Sequence, residues 1–145
     1  RIPAGTPRWD LVCKSPEIQV SHDHLTSTNT SYLNSHTSRG TSGFSSGIHY
    51  FEVRINFVKL GGYICLCLGT HDIHNNTAVY PPPKYSAFGY TTQGEMIRQG
   101  EIVADGLPRV VAGDDLGYRA DFLSGLIIFY KNRHPVAEME GLKGE

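Results

Sequence analysis

The chain has 145 residues, a length that suits one domain and leaves little room for a second. Thirteen Lys and Arg against 14 Asp and Glu give a formal net charge of −1 with no basic block, which excludes a strong electrostatic footprint for nucleic acid or anionic membrane. No apolar run approaches the roughly 18 residues of a membrane-spanning helix, while 16 Gly and 8 Pro suit a fold with many turns.

Taken in chain order, Trp9-Asp10-Leu11-Val12 and Glu17-Ile18-Gln19-Val20 are short candidate edge strands. Between Ser21 and Ser46 the chain is rich in Ser, Thr, Asn, His and Gly, a composition shared by disordered linkers. Leu25, Tyr32, Leu33 and Phe44 are spaced there like anchors, which favours short strands joined by ordered loops. Gly47 to Val58 carries a clear period of two. His49, Phe51, Val53, Ile55 and Phe57 fall on one side, and Glu52, Arg54 and Asn56 on the other. That alternation predicts one face in a core and one toward water.

Gly61-Gly62 makes a turn, after which Tyr63 to Leu68 is apolar throughout and reads as a central strand buried on both faces. From Thr70 to Lys84 no hydrophobic period survives, so this is a long loop, and long loops in compact domains tend to be functional. Tyr85 to Tyr90 resumes a strand, broken at Thr91-Thr92-Gln93-Gly94. Glu95 to Val103 is another strand or hairpin arm, followed by a turn at Asp105-Gly106. Asp115 to Phe122 alternates, with Leu116, Tyr118, Ala120 and Phe122 on one side. Ser124-Gly125 turns the chain into Leu126 to Tyr130, and Lys131-Asn132-Arg133 turns it again toward Val136. Strand and turn at this short spacing predict an antiparallel meander. Ala137 to Leu142 is compatible with a short helical turn.

Five motifs in order give the chain a family likeness. Gly43-Phe44-Ser45-Ser46-Gly47-Ile48-His49-Tyr50-Phe51-Glu52-Val53 opens a strand, and Ile64-Cys65-Leu66-Cys67-Leu68-Gly69-Thr70 supplies the apolar one. Tyr85 to Tyr90 is aromatic-rich; Ala112-Gly113-Asp114-Asp115-Leu116-Gly117 leads to Ala120-Asp121-Phe122; and Ile127-Ile128-Phe129-Tyr130-Lys131-Asn132 closes a hairpin. In this order and spacing they resemble the SPRY domain family, most strongly over residues 39–136. The resemblance implies an all-β fold, a bent two-sheet antiparallel β-sandwich of concanavalin-like type, over residues 1–145. The strand that marks the PRY segment of tripartite-motif proteins is not recognisable at the N-terminus. The closing C-terminal strands usual in the family are not found before Glu145.

Chemistry is sparse in the pattern. His22-Asp23-His24 and His71-Asp72-Ile73-His74 pair imidazoles beside a carboxylate, but zinc needs three or four tetrahedral ligands, and surface loop histidines are the simpler reading. The odd set Cys13, Cys65 and Cys67 reads as small hydrophobes in a reducing compartment. No Gly-x-Ser-x-Gly elbow marks a hydrolase. Asp114-Asp115 reads as a turn with one partly buried carboxylate rather than a calcium loop. The expectation is a non-enzyme with neither cofactor nor metal.

What the resemblance implies instead is binding through loops. Spacing similar to SOCS-box SPRY adaptors puts one recognition loop at Thr28, Thr30 and Tyr32, and a docking tyrosine at Tyr80 beside Pro81, Pro83 and His74. An exposed Tyr offers apolar area and a polar tip at low entropy cost, and neighbouring prolines stiffen its loop. The expected function is recognition of a peptide or protein partner by an intracellular, cytoplasmic or nuclear module. Such a module would act as a substrate receptor or scaffold within a larger, multidomain protein of ubiquitin-ligase type. Neither nucleic acid nor membrane insertion is expected. The alternatives are a structural domain packed permanently in a large assembly, such as an ion-channel or chromatin complex, and a carbohydrate-binding sandwich.

Overall fold

Period-two alternation dominates the last third of the chain, and it builds the meander of one sheet. The computed structural model describes residues 9–14, 18–23, 25–29, 38–40, 46–58, 62–69, 86–98 and 101–142. Strands run in chain order as β1 (Trp9–Lys14), β2 (Ile18–Val20), β3 (Ser27–Asn29), β4 (Ser38–Gly40), β5 (Ile48–Arg54) and β6 (Cys65–Gly69). They continue as β7 (Ser86–Thr91), β8 (Met96–Arg98), β9 (Glu101–Ala104), β10 (Asp115–Asp121), β11 (Leu126–Lys131) and β12 (His134–Glu140). Among the described residues there is no helix.

Two four-stranded antiparallel sheets form the body, in the orders β12-β11-β10-β5 and β6-β7-β8-β9. β1 pairs with β4, and β2 with β3, as separate two-stranded ribbons. In the first sheet Leu116, Tyr118 and Ala120 of β10 are 0%, 5% and 0% exposed, the alternation read from the sequence. Their cross-strand neighbours Phe129 and Ile127 complete a buried row. From the facing sheet come Leu66, Phe88, Tyr90 and Met96. The Tyr90 and Phe129 rings meet across the interface with centroids 5.5 Å apart. Burying each such side chain stabilises the fold by roughly 1.5–3 kcal/mol. Tyr90 reconciles its hydroxyl with this setting by donating to the Pro108 carbonyl at 2.7 Å.

Several sequence expectations are corrected. The strand from Gly47 is shorter than its pattern, spanning Ile48–Arg54. Beyond it Ile55 exchanges backbone hydrogen bonds with Gly113 and Asp114, so strand parity lapses and Phe57 is 73% exposed rather than in the core row. Among the described residues β6 stands at the end of its sheet, with β7 its partner. Leu66 is buried, while Cys65 and Cys67 are half-buried on the other face. Residues 95–103 form two strands, β8 and β9, paired with each other. Ala137 to Leu142 does not turn helical, because Ala137 and Met139 sit opposite Phe129 and Ile127, and alternation wins. Leu25, expected as an anchor, is 41% exposed. Tyr32, Leu33 and Phe44 lie outside the described residues.

Candidate protein-interaction surface

The outward face of the first sheet carries a connected set of aromatic and charged side chains. Strand alternation puts Ile48, Tyr50, Glu52 and Arg54 of β5 on this face, opposite Asp121, Arg119, Gly117 and Asp115 of β10. On β11, Tyr130 and Ile128 lie opposite Gly117 and Arg119. Gly117 therefore leaves a gap between two strands of larger side chains. The Tyr50 ring fills it, since a Cβ on Gly117 would stand 2.8 Å from Tyr50 Oη and 3.1 Å from Cζ. Tyr50 meets Tyr130 edge-to-face, with centroids 5.5 Å apart and planes at 69°.

Polar groups fix this pair in place. Tyr50 Oη donates to Glu52 Oε1 at 2.9 Å, and Arg133 donates to both Glu52 oxygens at 3.2 and 3.3 Å. Burial, followed by the Glu52 carboxylate, pushes the Tyr50 hydroxyl up to about 12. Tyr50 as a residue is nevertheless 47% exposed, and Ile48 beside it 48%. Arg54 forms a fork with Asp115 at 2.8 and 3.2 Å, which holds that carboxyl below its ordinary value.

Arg133 reaches Glu52 from a two-residue hairpin loop. Lys131 pairs with His134, and the two loop residues Asn132 and Arg133 have φ of 50° and 67°. A loop with both central φ positive is the type I′ geometry, which favours Asn first and Gly second. Asn132 meets this preference and also bonds sideways. Its side chain accepts from Asp115 N–H at 2.9 Å and donates to Asp114 Oδ1 at 3.1 Å. Arg133 does not meet it, and pays a left-handed conformation that a Cβ disfavours. Asp114 accepts from Val111 N–H at 2.9 Å, and that bond with Asn132 holds its carboxyl below the ordinary range. The Asp114-Asp115 pair is thus a turn anchor and an ion-pair partner.

Of the loop residues singled out by sequence, Thr28 is described: it lies exposed on β3, opposite Gln19. Thr30, Tyr32, His74, Tyr80, Pro81 and Pro83 lie outside the described residues, as do His24 and His71. Asp23 next to His22 is engaged locally, accepting from Ser21 Oγ at 2.6 Å and Leu25 N–H at 3.0 Å. Among the described residues no group of three or more His, Cys, Asp or Glu is placed to hold a metal ion.

Tyr50, Tyr130 and Arg133 were not singled out by sequence. A signal existed for Tyr50, which shares strand parity with Glu52 and Arg54 on the water-facing side. For Arg133 the signal was an arginine in the second place of an Asn-first hairpin turn.

Two antiparallel sheets closed over an aromatic core, with the meander β10-β11-β12 completing one of them, define a β-sandwich of SPRY type. Solved structures agree. The chain is similar to the SPRY domain of human HERC1, at 19% identity and TM-score 0.71, over 94% of this chain and 83% of that one. It is also similar to the TRIM65 PSpry domain, at 18% identity and TM-score 0.71, over 96% and 81%. The fold of this chain is the SPRY fold. No family model and no curated protein matches the sequence.

Proposed function

We propose that this chain is a non-catalytic recognition module that binds a peptide or protein partner. The observation that carries the reading is Tyr50: a large aromatic held in a fixed pose by Gly117, Tyr130 and Glu52, yet 47% exposed. A preorganised Tyr loses little entropy on binding, and Tyr and Arg are the side chains enriched in binding hot spots. Arg133 supports the same reading, because a left-handed non-glycine residue stores strain that a functional site tolerates. Its side chain is 77% exposed, and the guanidinium can meet a partner's carboxylate or carbonyl on the side away from Glu52.

The loop residues Thr28, Thr30, Tyr32, His74, Tyr80, Pro81 and Pro83 are proposed as a second recognition element. The module would serve as substrate receptor or scaffold inside a larger intracellular protein of ubiquitin-ligase type. The test is affinity capture from eukaryotic lysate with the intact chain, Tyr50→Ala and Tyr80→Ala, each first shown to fold by circular dichroism. A partner lost from Tyr50→Ala supports recognition by the sheet face, and one lost from Tyr80→Ala supports the loops. Equal capture by all three, or none, overturns the proposed sites.

A further inference from the structure

The sulfur atoms of Cys65 and Cys67 stand 3.2 Å apart on one face of β6. Alternation places them there together, with Leu66 between them directed into the core. Opposite them on β7 are Thr91 and Gly89. Gly89 makes the arrangement possible, because a Cβ there would lie 2.8 Å from Cys65 Sγ and 3.0 Å from Cys67 Sγ. Both cysteines are free, and each residue is half-buried.

We propose that Cys65 and Cys67 are a paired oxidation site, forming a reversible intrastrand disulfide with peroxide-class oxidants. Alternate residues of a strand have Cα atoms roughly 6.4–6.8 Å apart, at the upper end of the span a disulfide bridges. Such a bond is strained, and strained, accessible disulfides are readily reduced again. Closing the sulfurs from 3.2 Å to bonding distance also draws the two Cβ atoms together, which is the source of that strain.

The chemistry balances with one peroxide per pair. The Cys67 thiolate attacks a peroxide oxygen, giving a sulfenic acid and releasing hydroxide, which takes up a proton to leave as water. The Cys65 sulfur then attacks the Cys67 sulfur, the S–O bond breaks, and the expelled hydroxide leaves with the Cys65 proton as a second water. Two thiols are oxidised by two electrons, and peroxide is reduced to two waters. Contact with Cys67, followed by burial, raises the Cys65 thiol well above its ordinary range.

The test is mass spectrometry of the full 145-residue chain after titration with hydrogen peroxide under non-reducing conditions. Both sulfurs fall in the tryptic peptide of residues 60–84, and Cys13 falls in another. The expected result is that this one peptide loses two hydrogens, in a monomer, and regains them with dithiothreitol. Cys65→Ser and Cys67→Ser should instead accumulate oxygen adducts on the remaining sulfur. Oxygen adducts on both sulfurs of the parent chain, or dimers linked between chains, would overturn the proposal. A second measurement needs no variant: phenylarsine oxide, which bridges paired thiols, should bind the folded reduced chain one to one and block the oxidation. Failure to bind would show that the sulfurs are not paired in solution.

Discussion

Tyr50 lies across Gly117, so that the missing side chain of one strand is the seat of an aromatic ring from the next. A Cβ on Gly117 would stand 2.8 Å from Tyr50 Oη and 2.9 Å from the Phe51 carbonyl oxygen. The first contact is with the end of a side chain that can swing away. The second is with backbone of the paired strand, which cannot. Gly117→Ala should therefore lower stability by about 1–3 kcal/mol, the usual cost of overpacking, and it should persist when combined with Tyr50→Ala. Urea unfolding of the two variants and their double checks this. A double variant as stable as Tyr50→Ala alone would place the whole clash on the ring.

The same ring has a spectroscopic signature. Tyr50 and Tyr118 are each pushed up to about 12, Tyr50 by burial and then by Glu52, Tyr118 by burial. A tyrosine whose folded value lies above its unfolded one favours the folded state at lower pH. That stability is fully present below pH about 10 and is lost as pH rises toward the folded value. Tyrosinate absorbance should show a late-titrating class, and Glu52→Gln should move one member of it part of the way down, the share due to burial remaining. An unchanged titration in Glu52→Gln would mean the carboxylate does not hold the hydroxyl.

Arg133 exchanges turn geometry for surface chemistry. At φ 67° a glycine would be unstrained. Arg133→Gly should raise Tm by on the order of 3 °C while weakening capture of any partner that engages the Tyr50 face. Differential scanning calorimetry and the affinity capture read the two effects separately. A fall in Tm would mean that the bridge to Glu52 outweighs the turn.

Acid should loosen the turns before the core. Backbone N–H groups of Ser124 and Leu123 hold the Asp121 carboxyl below its ordinary 3.8, and Val111 N–H with Asn132 does the same for Asp114. Folded values depressed below the unfolded ones contribute stability present above about pH 4, and lost as pH falls through the folded values. Tm should decline below pH 4, and less steeply in Asp121→Asn, whose amide oxygen still accepts from the same N–H groups. Parallel profiles for parent and variant would remove Asp121 as a source of the acid sensitivity.

The all-β class and the meander of β10, β11 and β12 were readable in sequence because they depend on local alternation. Leu116, Tyr118 and Ala120 declare their face by parity alone, and the Asn132 turn by residue type. Tyr50 was equally readable as outward-facing. Parity misled where a strand stopped: Ile55 bonds to the Gly113-Asp114 turn, so Phe57 leaves the core row although its place in the pattern is unchanged. It misled also at β6, where an apolar run suggested burial on both faces, but two of its members are cysteines standing over Gly89.

Sequence by itself determined which residues alternate, where the chain turns, and the order of strands that a SPRY sandwich requires, since each is settled within a few neighbouring residues. Only the tertiary structure decided that Tyr50 rests on Gly117, that Glu52 is held by Arg133 81 residues later, and that Cys65 and Cys67 share the space left by Gly89. Those relationships join strands distant along the chain, and they exist only once antiparallel register has set which side chain stands opposite which.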